Sequence, residues 1–286
     1  MGRERVAVVM IALVVIVVAV ASLVPIISNP KDSKDGSLDV IVIAGQSNAE
    51  YTEERCDISL FNELYSEEPV KNLYFCGIDG DTPVNYWNTN GLDMTSGGFS
   101  ICSMWDDNWV IGGYEPILAN DLAKKTGNDI LVINTGVGGK KISELIPGSV
   151  FGDYGFRLIN TAISKVSSSY STINFDYWVW IQGEADYNTD IDQYIDDFKL
   201  LQNEFKKYEC EHCVIVNTRE TWGGNANVAQ GKISECDSNV DLVAKINESF
   251  SLEEGGHLLD EPGAYGIHYS CKGRVVIAND IVSVIV

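Results

Sequence analysis

The stretch Val40 to Tyr51, VIVIAGQSNAEY, constrains this chain more than any other. Val40, Ile41, Val42, Ile43 and Ala44 run without a polar interruption into Gly45, and Gln46-Ser47-Asn48 follow before helix-compatible residues take over. A short continuous apolar run bounded by a turn reads as a strand buried on both faces. A strand that stops in a tight turn and passes into a helix lifts the side chains of the turn to the edge of the sheet. The helix N-terminus behind it offers unsatisfied backbone N–H groups to a developing negative charge. That geometry makes Ser47 a candidate nucleophile. The competing reading is that Ser47 caps the helix, a position serine often takes.

The pattern recurs along the chain. Asp39–Ala44, Asn72–Cys76, Asp129–Asn134, Phe175–Ile181 and Cys213–Asn217 read as strands. Helices are expected over Glu115–Lys125, with Pro116 in the first turn and Gly127 as the stop, and near Gly155–Ser167. Ile191–Tyr208 is the clearest amphipathic helix, its apolar residues recurring at 3- and 4-residue steps. Val240–Phe250 and Lys272–Val286 complete the set as helices, although the β-branched end of the latter also suits a strand. Alternating strands and helices give an α/β fold, a five-stranded parallel sheet covered on both faces. In such folds ligands bind outside the carboxyl ends of the strands. Gly45-Gln46-Ser47, Gly136 to Gly139 and Gln182-Gly183-Glu184 all fall at those ends, so three loops meet on one rim.

The N-terminus has its own logic. Arg3 and Arg5 precede an uncharged apolar run from Val6 to Ile27, as long as the roughly 20 residues that span a bilayer. Residues 1–27 are expected to be a transmembrane helix that anchors the chain, or a cleaved signal peptide, with the rest extracytoplasmic. Residues 28–37 are polar and read as a linker, leaving 38–286 as one domain. With 20 Lys and Arg against 41 Asp and Glu, the net charge of −21 argues against nucleic acid as a partner. Seven cysteines lie outside the apolar run. Cys210-Glu211-His212-Cys213 is half a zinc site without its other half, so a local disulfide or plain thiols are expected rather than a metal.

A serine nucleophile needs a base, an oxyanion hole and usually an acid that orients the base. Of the three histidines, His212 stands before the fifth strand, at the wrong end of the sheet, while His257 and His268 precede the last helix. Backbone N–H groups of Ser47, Gly138 and Gly139 can serve an oxyanion, and the Gln182 side chain adds an NH₂ donor. Gln46, beside the serine, joins these as a candidate substrate contact. Gly136-Val137-Gly138-Gly139-Lys140-Lys141 lacks the spacing of a phosphate loop. Glu184 and Asp186 are expected to hold a turn, with a carboxylate-pair glycosidase as the alternative. The long Gly- and Asn-rich stretch from 77 to 113 carries Trp87, Trp105 and Trp109, which either stack on sugar or anchor the loop.

Read together, GQSN at Gly45–Asn48, GVGGKKI at Gly136–Ile142, WIQGEAD at Trp180–Asp186 and GIH at Gly266–His268 resemble the ordered blocks of SGNH hydrolases. The branch they are most similar to is the carbohydrate acetylesterases that include sialate O-acetylesterase. The resemblance covers the chain from about Asp39 onward. It implies a flavodoxin-like α/β/α sheet, Ser47 as nucleophile, His268 as base, and oxyanion donors at Ser47 and the glycine loop. It implies no metal or cofactor and an acetylated carbohydrate as substrate. One position departs: the family places an aspartate three residues before the histidine, where this chain has Tyr265. Glu184, Asp260 and Glu261 are candidate replacements. A Ser47–His268 dyad, or a catalytically weak glycan-binding module, are the other expectations.

Overall fold

The computed structural model describes residues 34–50, 65, 70–77, 102–103, 114–218, 220–243, 269 and 271–285. The chain from Asp35 to Val286 is one compact unit. The apolar run Val6–Ile27 lies outside the described residues, among which no helix is long and apolar enough to cross a membrane.

The strands are β1 (Lys34–Gly45), β2 (Leu73–Gly77), β3 (Cys102–Ser103), β4 (Asp129–Asn134), β5 (Tyr170–Ile181), β6 (His212–Val216) and β7 (Val240–Val243). Between them run α1 (Glu115–Thr126), α2 (Ile142–Leu145), α3 (Val150–Val166), α4 (Ile191–Phe205) and α5 (Glu220–Cys236), with α6 (Cys271–Ile285) last. The expected sheet of five strands is in fact seven-stranded, in the order β3-β2-β4-β1-β5-β6-β7. β3 is a short antiparallel edge on β2; β2 and β1 flank β4 in parallel, and β5, β6 and β7 follow in parallel. Two bonds fix β1 against β5 in the same sense: Gln46 N–H donates to Ile181 O at the carboxyl ends, and Ser171 Oγ–H to Gly36 O near the other. Counted in chain order, the parallel strands run 2-3-1-4-5-6 rather than the flavodoxin 2-1-3-4-5, since β4 is inserted between β1 and β2.

β1 shows why the sheet has two covered faces. Ile41 and Ile43 join the core under α1 and α6, whereas Leu38, Val40, Val42 and Ala44 join the core under α3, α4 and α5. Successive side chains point to opposite faces, so an unbroken apolar run serves both layers. Trp178 and Trp180 of β5 fill the second core; Trp178 is fully buried and stacks on Phe205, ring centres 4.2 Å apart. Truncating Trp178 to alanine costs about 3–5 kcal/mol.

Helix ends follow their local chemistry. α1 has Pro in its first turn and stops where Gly127 turns left-handed, φ 74°, its N–H returning to Ala123 O. Asp190 caps α4 through the N–H groups of Asp192 and Gln193. Two expectations are corrected and one element is added. β1 begins at Lys34, inside the stretch read as a linker, because Gly36 O is held by Ser171. Val240–Val243 is a strand rather than the start of a helix, paired with Cys213 to Val216. Glu220–Cys236 forms a helix that the spacing of apolar residues does not announce.

Candidate active site

β1 and β5 are neighbours whose following loops leave in opposite directions, β1 toward β2 and β5 toward β6. The crevice between their carboxyl ends is the switch point of the sheet, where open α/β folds bind ligands. Ser47 sits on it. At Gly45, φ is 143° and a Cβ would stand 2.0 Å from Ile181 O, so only glycine lets the turn close onto β5. Gln46 N–H donates to Ile181 O at 3.0 Å, and Val137 N–H donates to Gly45 O at 3.0 Å. The turn is thereby stitched to β5 on one side and to the loop after β4 on the other. The N–H groups of Ala49 and Glu50, those a capping Ser47 hydroxyl would take, donate to Gln46 O at 2.8 and 2.9 Å. Ser47 itself is 9% exposed.

The glycine loop is placed by Asn134, the last residue of β4. Its Nδ2 donates to Ala49 O at 2.7 Å and to Glu115 Oε1 at 2.8 Å, while its Oδ1 accepts Gly136 N–H at 2.9 Å. One amide therefore holds the nucleophile turn and the glycine loop in register. A Cβ on Gly138 would lie 2.6 Å from Glu50 Oε2 and 3.7 Å from Ser47 Cβ, which puts this backbone directly against the serine. Gly139, with φ 69°, faces open space. Of the two glycines expected to serve an oxyanion, Gly138 is the one brought beside Ser47. Glu115 is fully buried; burial pushes its carboxyl up, and the Asn134 bond and the Arg274 charge pull it partly back.

The loop after β5 corrects two readings. Gln182 is fully buried, and its Nε2 already donates to Lys140 O at 3.2 Å, Gln46 Oε1 at 3.3 Å and Asp186 Oδ2. Its Oε1 accepts Tyr194 O–H at 2.9 Å. An amide so committed joins three loops from beneath; it is not a spare oxyanion donor. Gln46, expected as a substrate contact, is 2% exposed, and its Oε1 accepts Ala185 N–H at 3.1 Å. Asp186 holds a turn as expected, accepting Ile142 N–H at 2.7 Å and Thr189 Oγ1–H at 2.6 Å.

Glu184 differs from Asp186. Its Oε1 accepts Asn48 Nδ2–H at 2.7 Å, while Oε2 is closed off from solvent and has no partner among the described residues. Burial pushes this carboxyl up to about 6, with the Asn48 bond acting in the opposite direction. The other end of the Asn48 amide accepts Tyr269 N–H at 3.1 Å. Asn48 therefore ties the nucleophile turn to Glu184 on one side and to the residue that follows His268 in the chain on the other. His257, Asp260, Glu261, Tyr265 and His268 lie outside the described residues, as do Trp87, Trp105 and Trp109. His212 begins β6, at the end of the sheet away from Ser47, its ring 5.6 Å from that of Tyr177. Among the described residues no three or more His, Cys, Asp or Glu side chains group to hold a metal ion.

No protein-family model matches this sequence, and no curated protein does either. The fold itself has solved counterparts. NanS is 14% identical, with a TM-score of 0.60 over 88% of this chain and 97% of NanS. A protein from Arabidopsis thaliana is 12% identical, with a TM-score of 0.58 over 86% of this chain and 97% of its own. This chain has their fold. Three of the ordered blocks, GQSN, GVGGKKI and WIQGEAD, fall on the loops after β1, β4 and β5 that build the site, while Gly266–His268 lies outside the described residues.

Proposed function

We propose that this chain is a serine esterase that removes O-acetyl groups from carbohydrate through an acyl-enzyme on Ser47. The observation that carries the reading is the assembly at the β1–β5 crevice. Ser47 stands against the Gly138 backbone, and Asn48 beside it holds the N–H of Tyr269, the chain neighbour of His268. The sequence blocks supply the chemistry. Ser47 Oγ attacks the acyl carbonyl as His268 takes its proton, and backbone N–H groups of Ser47 and Gly138 receive the oxyanion. His268 returns the proton to the departing sugar oxygen. A water, deprotonated by the same imidazole, then releases acetate.

Glu184 enters this scheme through Asn48 as a positioning residue: its carboxylate fixes which way the amide points, and the amide carbonyl holds the histidine-bearing segment. Asp260 and Glu261 stay candidate acid partners of His268 beside it. Asp186 is consumed by Ile142 N–H and Thr189 Oγ1, which disfavours a glycosidase built on Glu184 and Asp186. Residues 1–27 are proposed to anchor the protein in a membrane with the esterase domain extracytoplasmic; release of the full chain into the supernatant by alkaline carbonate would overturn the anchor.

The test of the activity is release of 4-nitrophenol from 4-nitrophenyl acetate by the full-length protein, with Ser47→Ala beside it. Wild type is expected to turn over and the variant to be inactive. Equal rates would sink the nucleophile. No turnover by either protein, with an acetylated oligosaccharide still bound, would favour the glycan-binding module.

A further inference from the structure

Single exposed apolar side chains are ordinary on a folded domain, whereas exposed aromatics gathered beside a site are not. Among the described residues two large aromatics are exposed, Tyr187 at 46% and Trp222 at 39%. Both follow the carboxyl ends of adjacent strands: Tyr187 lies between β5 and α4, and Trp222 opens α5 after β6. Along the sheet they stand on the β6 side of Ser47, and the glycine loop stands on the β4 side.

Their exposure is not a matter of loose backbone. Asn225 N–H donates to Tyr187 O at 2.9 Å and Asn225 Nδ2–H to Thr189 O at 3.1 Å, pinning the loop at two points. Gly224, between Trp222 and Asn225, has φ 46° and ψ −127°, a conformation that L side chains rarely adopt. A Cβ there would stand 2.4 Å from Tyr187 O and 2.7 Å from Tyr187 Cδ2. The glycine breaks α5 in its first turns and lets the Tyr187 ring lie against the backbone two residues from Trp222. Ala185 N–H, bonded to Gln46 Oε1, ties the same loop back to the nucleophile turn. A strained, pinned segment thus carries two exposed aromatic residues on the loops after β5 and β6, at the end of the sheet that holds Ser47.

We propose that Tyr187 and Trp222 form a stacking subsite for the pyranose rings of the carbohydrate that bears the acyl group. The inference rests on the esterase reading above and gives it a leaving-group side. The two rings belong to loops on the side of Ser47 opposite the glycine loop, and the proposal assigns the departing sugar to that side. The C–H face of a pyranose is apolar and weakly positive, and it packs on the negative face of an aromatic ring. Tyr and Trp supply that face with little side-chain entropy to lose.

Two assays on the full-length protein decide it. Tyr187→Ala and Trp222→Ala are expected to lower kcat/KM for O-acetylated cello-oligosaccharides about tenfold each, chiefly through KM. Turnover of 4-nitrophenyl acetate, which has no sugar, should stay within about twofold. Tyr187→Phe and Trp222→Phe should restore the oligosaccharide rate. An equal fall on both substrates would make the rings structural, and no fall on either would remove the subsite; both outcomes overturn the proposal and leave the esterase reading intact. Calorimetric titration of the acetylated oligosaccharide onto Ser47→Ala reads the subsite without turnover. Binding that weakens about tenfold with Trp222→Ala supports it. No binding, or binding indifferent to Trp222, refutes it even if the protein hydrolyses no ester.

Discussion

The two ends of the sheet use the same residue types to opposite effect. At the amino end, Asp39 accepts Asn128 Nδ2–H at 2.9 Å and Asn174 Nδ2–H at 2.7 Å. Asp129 accepts Asn72 Nδ2–H at 2.9 Å and Tyr170 O–H at 2.8 Å. Both acids are matched by donors in β5 or just before β2 and β4, and the cluster ties β1, β2, β4 and β5 together. At the carboxyl end, Glu115 and Glu184 each keep one buried carboxylate oxygen with no hydrogen-bond partner among the described residues. Gly45, Gly139 and Gly224 hold positive φ there as well. Buried polar groups are nearly always satisfied, and strain persists only where the surroundings enforce it. Gly127 and Glu209 hold positive φ at the amino end too, so what separates the two ends is the unpartnered carboxylate oxygens of Glu115 and Glu184.

The sharpest way to break that contrast is to remove the chemistry and leave the shape. Ser47→Ala is expected to lower ester hydrolysis by roughly 10⁴-fold or more with little change in melting temperature. Asn48→Ala should be smaller in rate and larger in stability. It strips the Glu184 carboxylate of its donor and frees Tyr269 N–H, for a loss of about 3 kcal/mol by urea unfolding. If Asn48→Ala unfolds like wild type, the amide is not the tie between the three segments.

What the sequence alone reveals follows the same division. β4 and α4 are legible because apolar spacing decides them, and β1 is legible over its apolar end, though it begins five residues before the expected Asp39. α5 is not, since its buried face is Ala226, Ala229, Gln230 and Ile233 with Gly223, Gly224 and Gly231 interspersed, where one large apolar side chain is too few to set an apolar period. β7, only VDLV, has too few residues to show a period of two. At the site, Ser47 and the glycine loop stand out because turn chemistry is local. The roles of Gln46 and Gln182 do not, because partners 136 residues apart in the chain decide whether an amide faces substrate or floor. The Tyr187–Trp222 rim is hidden for the same reason: it depends on Gly224 breaking a helix that the spacing does not announce.

A middle-sized effect separates buried carboxylates by pH. Glu184 is held at about 6 in the fold against 4.5 when exposed. Between those values the folded state binds more protons than the unfolded state, so stability falls as pH rises from 4.5 to 6 and stays lowered above. A shift of that size is worth about 2 kcal/mol. Glu184→Gln keeps an oxygen for Asn48 and removes the charge. It should therefore gain on wild type in urea unfolding at pH 7.5 but not at pH 4.5. Parallel behaviour at the two values would mean that the carboxylate is solvated, and the carboxyl end would lose its distinction.

The smallest expected effect lies at the other end. Asp129→Asn keeps one oxygen to accept from Asn72 or Tyr170 but gives up the charge that strengthens both bonds, for a loss of about 1 kcal/mol. Asp129 opens β4 and Asn134 closes it, so about 16 Å of strand separates the substitution from the residue that sets the glycine loop. Both acids at the substituted end have hydrogen-bond donors, so no unpartnered acid there transmits the change. Hydrolysis of 4-nitrophenyl acetate should match wild type at temperatures where both proteins are folded. A tenfold fall in kcat/KM there would show that the amino-end cluster tunes the nucleophile turn through β4, and the two ends would have to be treated as one device.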